Sequence, residues 1–483
     1  MDTTKNYRIT QFSIIAILLG LVVLHGCKNS ADSNNDPPAY SFDLDSIKSR
    51  GRLTALVDNS TTSYFSYKGQ PMGFEYELLK RFADLHELEL DVKVVYNMDE
   101  IIAMLNRGKG DIVAANITVT KDRGKRVSFS ESLLKTRQVL IQHRKNPDKI
   151  SDASELGGRT VHVRGGSSFY DRLLNLEEEI GQNIDIVVVS DSNDRRILNK
   201  TIQLIEQVAN QEIEFTIADE NIARVQKKLY PSIDIDVAIS LPQNIAWAMR
   251  KPDTLLLQAV NSWLSKEKKK NDYYTIYTKY FRARTVLKKK LKSEYSSLSG
   301  GISPYDDLIK INAAKLDWDW RLLASQIYQE SKFDPNAQAW TGATGLLQLL
   351  PQTAQAYKVD SSLLKDPAAN LNAGTSYLAW LDECWAHTIT DSLERIKFVL
   401  ASFNVGLGHV IDARNLAQKY GKDPAKWDNH VAEYILKKSE KEYYRDEVCK
   451  HGYCRGAEPF QYVKEVMERY GHYVNLIVEE EAN

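Results

Sequence analysis

A single glutamate stands where a helical pattern calls for an apolar residue. Leu323 and Ile327 lie one turn apart, and Glu330 follows three residues later on the same face of a helix expected over 319–333. That helix is expected to stop near Phe333, because Asp334 precedes Pro335 and the residue before a proline is pushed out of the α region. Apolar neighbours disfavour the charged form of a carboxyl, so its pKa rises toward neutrality and it can serve as a general acid near pH 7. Lone carboxylates are more often rim residues or halves of ion pairs, so the surroundings of Glu330 have to decide.

Those surroundings are distinctive. Glu330-Ser331 is followed by Gly345-Leu-Leu-Gln348, by Asn370-Leu-Asn-Ala-Gly374 and by Phe403-Asn-Val-Gly406. In this order the four strings resemble the catalytic domain of soluble-type lytic transglycosylases, which cleave peptidoglycan glycan strands. The resemblance implies a mainly α, lysozyme-like fold over 303–475, with helices expected at 304–315, 345–357, 370–387, 391–404, 408–419, 427–437 and 459–471 besides the one that carries Glu330. It also implies a mechanism with a single carboxyl. Ordinary glycosidases use two; here Glu330 would protonate the glycosidic oxygen and then, as carboxylate, deprotonate the substrate's own C6 hydroxyl. Ser331 would orient Glu330, and Gln348 and Asn404 would act as neutral donors to acetamido or hydroxyl groups. Tyr462 in Pro459-Phe-Gln-Tyr-Val463 would line the site. Two departures stand out: Phe403 replaces a customary tyrosine, and Leu347 replaces methionine at nearly constant volume. Among the tryptophans, Trp318, Trp320, Trp340, Trp380 and Trp385 are expected mainly in the core, with Trp340 weighed as a sugar platform and core preferred.

The first half reads differently. Strands expected at 53–57, 90–95, 111–115, 160–163 and 184–189 alternate with helices at 75–86, 100–107, 170–176 and 196–208, the signature of an α/β fold. Gly73-Phe-Glu-Tyr-Glu77, Thr118-Val-Thr-Lys-Asp-Arg123 and Gly157-Gly-Arg-Thr-Val161 resemble the amino-acid-binding type of periplasmic solute-binding protein. The resemblance implies two lobes, one of about 45–140 plus 245–285 and the other of 145–240, closing on a ligand. Arg123 would clamp a ligand carboxylate with its planar fork, Asp219 would take its ammonium, and Ser167 in Gly165-Gly-Ser-Ser168 would add a hydroxyl. The plainer alternative makes Arg123 and Asp219 surface or hinge charges in a domain that kept the shape and lost the ligand.

Composition sets the frame. At 483 residues, 43% of them apolar, the chain can bury two cores, and 63 basic against 64 acidic residues give no reason to expect a nucleic-acid partner. Lys5 and Arg8 precede an apolar stretch that ends in Leu24-His-Gly-Cys27, too short for a bilayer span, which needs about 20 residues. It resembles a lipoprotein signal over 1–27 with Cys27 lipidated, and an uncleaved anchor is the alternative. A polar tether over 28–44 follows, and Lys28 in place of aspartate favours the outer membrane. A basic, Ser/Gly-rich linker is expected over 286–302. Cys449 and Cys454 read as a small disulfide loop, preferred over a metal pair with His451 because zinc needs about four ligands; Cys384 reads as a buried free thiol. No metal or cofactor is expected. Together the two domains resemble the membrane-bound lytic transglycosylase F family. The alternatives are a goose-type hydrolytic muramidase and a non-catalytic binding lipoprotein.

Overall fold

The computed structural model describes residues 43–67, 69–189, 200–282 and 301–477. The signal, Cys27, most of the tether and most of the linker lie outside them. The first half builds two five-stranded mixed sheets. In chain order the strands are β1 (Arg52–Val57), β2 (Glu89–Val94), β3 (Ile112–Val113), β4 (Ser128–Phe129), β5 (Gln138–His143), β6 (Thr160–Arg164), β7 (Asp185–Val189), β8 (Phe215–Asp219), β9 (Ile233–Asp234) and β10 (Ala248–Met249). One sheet runs β2-β1-β3-β10-β4 and the other β7-β6-β8-β5-β9. β1 and β8 are near-continuous apolar runs, buried along almost their whole length, as central strands covered on both faces should be. Helices such as α1 (Phe74–Leu85) and α2 (Ser168–Ile180) supply that cover.

The lobes divide at other residues than expected. β5 hydrogen-bonds to β8 and β9 and therefore belongs to the second lobe, although residues up to 140 were expected in the first. The chain changes lobes earlier, at 134–136, and returns at 243–245. These two crossings pair antiparallel as a separate two-stranded ribbon. A tertiary pairing fixes the boundary, and no local composition shift marks it.

The second half is helical: α3 (Asp306–Ala314), α4 (Trp320–Ser331), α5 (Pro351–Ala356), α6 (Pro367–Ala386), α7 (Ser392–Val405), α8 (Leu407–Lys419), α9 (Ala432–Lys437) and α10 (Ala457–Leu476). α4 is buried on nearly every side, and α10 lies along it. Residues 345–350, expected to begin a helix, instead form a turn, and α5 starts only at Pro351 with proline in the first helical turn. Trp318, Trp320 and Trp385 are core residues as expected, but Trp340 is 97% exposed at the tip of a tight turn closed by Ala339 N–H to Ala343 O (2.8 Å), and Trp380 is 44% exposed. Cys384 is exposed, not buried. On α6 the buried stripe runs Leu378, Leu381, Trp385, and Cys384 falls on the neighbouring stripe with Tyr377 and Trp380.

The two halves share one continuous apolar core, which joins the first lobe to α4 and α10. The last turns of α10 make the polar part of this junction. Tyr64 Oη meets His472 Nδ1 at 2.6 Å, Asn475 Nδ2 donates to Val92 O (2.6 Å), and Tyr96 Oη donates to Asn475 O (2.7 Å). Gly69 has φ +77 and sits so close that a Cβ there would lie 2.3 Å from Tyr473 Oη and 2.5 Å from Tyr328 Cδ2. A larger residue would have to displace the Tyr473 or Tyr328 ring, and the positive φ itself favours glycine.

Candidate active site

Glu330 occupies the last turn of α4, held by an aspartate cap at one end and an abrupt stop at the other. Asp319 accepts from Arg321 N–H at the N-terminus. At the C-terminus Lys332 (φ 53) and Phe333 (φ 63) are both left-handed, so the helix ends at Ser331, two residues before the point that Pro335 suggests. Two consecutive non-glycine residues in this region cost energy and turn the chain sharply, leaving the Glu330 side chain at a helix end with its carboxyl only partly exposed.

Across from it, α10 delivers Tyr462, itself 5% exposed, whose hydroxyl donates to Glu330 Oε1 at 2.5 Å. Burial pushes the Glu330 carboxyl up to about 7; the Tyr462 bond works against that shift, and the nearby charge of Glu458 adds to it. A carboxyl of this kind is part acid and part base at neutral pH. Because Oε1 accepts from tyrosine, the acidic proton belongs on Oε2.

The remaining motif residues divide into scaffold and surface. Asn370 is fully buried: its Oδ1 accepts from Leu347 N–H (2.8 Å), and its Nδ2 donates to Thr344 O and Leu364 O (2.9 Å each). Gly345 (φ +86) lies under that amide, where a Cβ would meet Asn370 Nδ2 and Leu364 O at 2.2 Å, and a Cβ on Gly374 would meet Leu347 Cδ1 at 2.4 Å. These residues lock the 344–348 turn to α6. Gln348 sits in that turn with φ 45, and its Nε2 donates to Ala337 O and Gly345 O at 2.9 Å each. Both amide protons are committed, so Gln348 cannot be the donor to substrate that was expected and can offer only its Oε1 as an acceptor. Ser331 does not take its expected place either. It is buried, and its hydroxyl donates to Ile327 O (3.2 Å) on its own helix, away from any role in orienting Glu330. Asn404 is half-buried at the end of α7, and its side-chain amide forms no hydrogen bond among the described residues. Phe403 packs against Tyr377 at 5.4 Å between ring centroids.

Cys449 and Cys454 are free thiols and do not form the disulfide expected. Burial raises both thiols, Cys449 to about 11, so neither is a reactive thiolate at neutral pH. Asp412 holds their loop instead. It accepts from the backbone N–H of Lys450 (2.9 Å) and His451 (2.8 Å), and it also meets the His451 ring at Nδ1 (3.2 Å).

In the first half, Arg123, Ser167 and Asp219 do converge on one cleft between the lobes, together with Asp58, Asn116 and Arg164. Arg123 donates from Nη1 to Thr118 O (3.0 Å) and from Nη2 to Gly166 O across the cleft (3.3 Å). Asn116, which sequence reasoning missed, reaches across to Asp219 Oδ2 (2.9 Å) and accepts from Asn221 Nδ2 (2.8 Å). The lobes are thus closed on each other, leaving about 40 Å³. Burial raises Asp219 to about 7 against the pull of Arg123 and Arg164. The Ser167 hydroxyl donates to Arg164 O (2.5 Å).

A two-lobed α/β domain followed by a helical domain that presents Glu330 beside Tyr462 is the arrangement of a lytic transglycosylase, a lyase of peptidoglycan, and the comparisons with known proteins agree. Residues 53–283 match the model for bacterial extracellular solute-binding proteins, family 3, and residues 307–426 match the transglycosylase SLT domain. The chain is 37% identical over 425 residues to a membrane-bound lytic murein transglycosylase F of Desulfosudis oleivorans, covering 88% of this chain and 90% of that one. It is 31% identical to one of Pseudomonas fluorescens, covering 88% and 85%. Among solved structures, a mutant ArgBP of T. maritima is 25% identical with a TM-score of 0.43, covering 50% of this chain and 99% of that one. The chain belongs to the membrane-bound lytic murein transglycosylase F family.

Proposed function

We propose that Glu330 performs both proton transfers of a non-hydrolytic cleavage between N-acetylmuramic acid and N-acetylglucosamine. The hydrogen bond from Tyr462 to a partly exposed carboxyl that desolvation pushes up to about 7 carries this reading. Glu330 Oε2–H donates to the glycosidic oxygen as the C1–O bond breaks. The resulting carboxylate, stabilised by the Tyr462 hydroxyl, takes the proton of the muramoyl C6 hydroxyl while O6 bonds to C1. The product is a 1,6-anhydro ring, and no water is consumed. Asn404 is free to hold an acetamido or hydroxyl group, and Gln348 can accept from one. Mass spectrometry of digested peptidoglycan tests this, with Glu330→Gln as control: anhydro products one water lighter than reducing ends support it, and reducing ends would make the enzyme a muramidase.

The solute-binding domain is assigned the role of a regulator that binds an amino acid or stem peptide between Arg123 and Asp219. Support comes from the way α10 is shared. Its first half presents Tyr462 to Glu330, and ten residues on, about 15 Å along the axis, His472 contacts Tyr64 in the loop that begins at the cleft residue Asp58. A ligand that shifts this loop would act on the helix that carries the Tyr462 hydroxyl. Calorimetric titration of Arg123→Ala with stem peptide should show affinity reduced about 30-fold or more, the loss for removing a buried charged partner; unchanged affinity would sink the assignment.

Membrane attachment is assigned to a lipidated Cys27, at the outer membrane. Among the described residues no helix is long and apolar enough to cross a membrane, and the relatives are named membrane-bound. Cys27→Ser should move the protein from the membrane fraction to the soluble one; retention in the membrane would point to an uncleaved anchor.

A further inference from the structure

One carboxyl that acts first as acid and then as base needs surroundings that suit both of its protonation states. Tyr462 alone suits one. Its single hydroxyl proton points at Glu330 Oε1 (2.5 Å), which favours the carboxylate and opposes the protonated form that the first step requires.

Gln326 stands one helical turn before Glu330 on α4, on the same face. It is fully buried, its amide lies against the Tyr462 hydroxyl, where a bond from Gln326 works to lower the tyrosine's pKa, and it meets no second partner among the described residues. A buried amide short of partners lowers stability, and an apolar side chain of the same length would fill this face without that cost. The adjacent residue shows what a structural polar group does here: Ser325, equally buried, donates from its hydroxyl to Val466 O at 2.7 Å.

We infer that Gln326 is a positioning residue that lets the Tyr462 hydroxyl serve both halves of the reaction. An amide carries an acceptor and a donor on one group, and its terminal torsion is soft. While Glu330 is protonated, the Tyr462 O–H turns to Gln326 Oε1, and Glu330 keeps its proton for the glycosidic oxygen. Once Glu330 is ionised, Gln326 Nε2–H donates to Tyr462 Oη and strengthens the bond by which the tyrosine holds the carboxylate. The inference rests on Glu330 being the acid and base.

The test is Gln326→Met in the full chain, assayed on soluble glycan strands. The expected result is a kcat about tenfold lower, a fraction of the usual acid–base contribution, with KM unchanged and Tm little changed, because the methionine keeps the packing and the lost amide had one bonded end and one without a partner. In a Tyr462→Phe background the same substitution should cause no further loss, since the two residues act as one unit. An unchanged kcat, a lowered Tm with a raised KM, or the same tenfold loss without the tyrosine hydroxyl would overturn it. Full activity in Glu330→Gln would instead overturn the acid–base assignment beneath it.

Discussion

Glu330→Gln should lower anhydro-product formation by about 10²–10⁴-fold, the range for losing a general acid–base group, while leaving the fold intact. The glutamine is isosteric and its Oε1 can still accept from Tyr462, but it has no acidic proton to give and no basicity to take one. Glu458 cannot substitute: its charge reaches Glu330 and raises its pKa, yet it forms no bond to it. The wild-type profile should be set by the same group. Since Glu330 titrates near 7, kcat/KM should fall on the alkaline side from about pH 7. A carboxyl raised from 4.5 to about 7 in the folded state stabilises fully below 4.5, and that contribution is lost as pH rises to about 7. Glu330→Gln should therefore melt at least as high as wild type above neutrality. A mutant rate within tenfold of wild type, or a wild-type profile still flat at pH 9, would remove Glu330 from its role.

The sequence exposed most plainly what sterics dictate. Gly345, Asn370 and Gly374 are legible because one contact set demands them: any Cβ at 345 or 374 collides, and only a short amide can hold the three backbone groups around the turn. The alternation of β1, α1 and β2 was legible for the same local reason, a change of apolar period from 2 to 3.6. What stayed hidden depends on partners far along the chain. The direction of the Gln348 amide is set by Ala337 O, the role of Asn116 by residues 219 and 221 in the other lobe, and the limit of the first lobe by the pairing of β5 with β8. Cys384 and Trp380 were misplaced because on a helix as apolar as α6 composition alone does not say which stripe faces inward. The docking of α10 had no local signal: nothing in His472, Tyr473 or Asn475 announces that they meet residues 64, 69, 92 and 96.

Asp412→Ala should destabilise the helical domain by about 3–5 kcal/mol, the cost of leaving a buried partner charge alone, which is a large share of the roughly 5–15 kcal/mol that holds a domain together. Asp412 and Lys438 are 1% and 0% exposed, and their Oδ2 and Nζ lie 2.6 Å apart. His409 Nδ1 lies 3.2 Å from the same ammonium; burial and the Lys438 charge hold its pKa down, so the ring is neutral and accepts. Burial works to raise the Asp412 carboxyl, but the bonds from Lys438, the two loop amides and His451 outweigh it and hold the group below its usual range. Its stabilisation is thus present above the ordinary carboxylate pKa and lost only as pH falls through the lower folded value; the deficit of Asp412→Ala should be full at neutral pH and shrink in strong acid. Replacing both partners, Asp412→Leu with Lys438→Met, should recover most of the stability, because an apolar pair fills the site without a stranded charge. It should not recover full activity. The lost carboxylate also held the amides of Lys450 and His451, and the loop they belong to leads directly into α10 and Tyr462. Thermal melts and kcat measured side by side on the single and double variants separate the two effects. A single variant that melts within a degree of wild type would show that the pair is not holding the domain, and a double variant with wild-type kcat would show that the loop does not reach Tyr462.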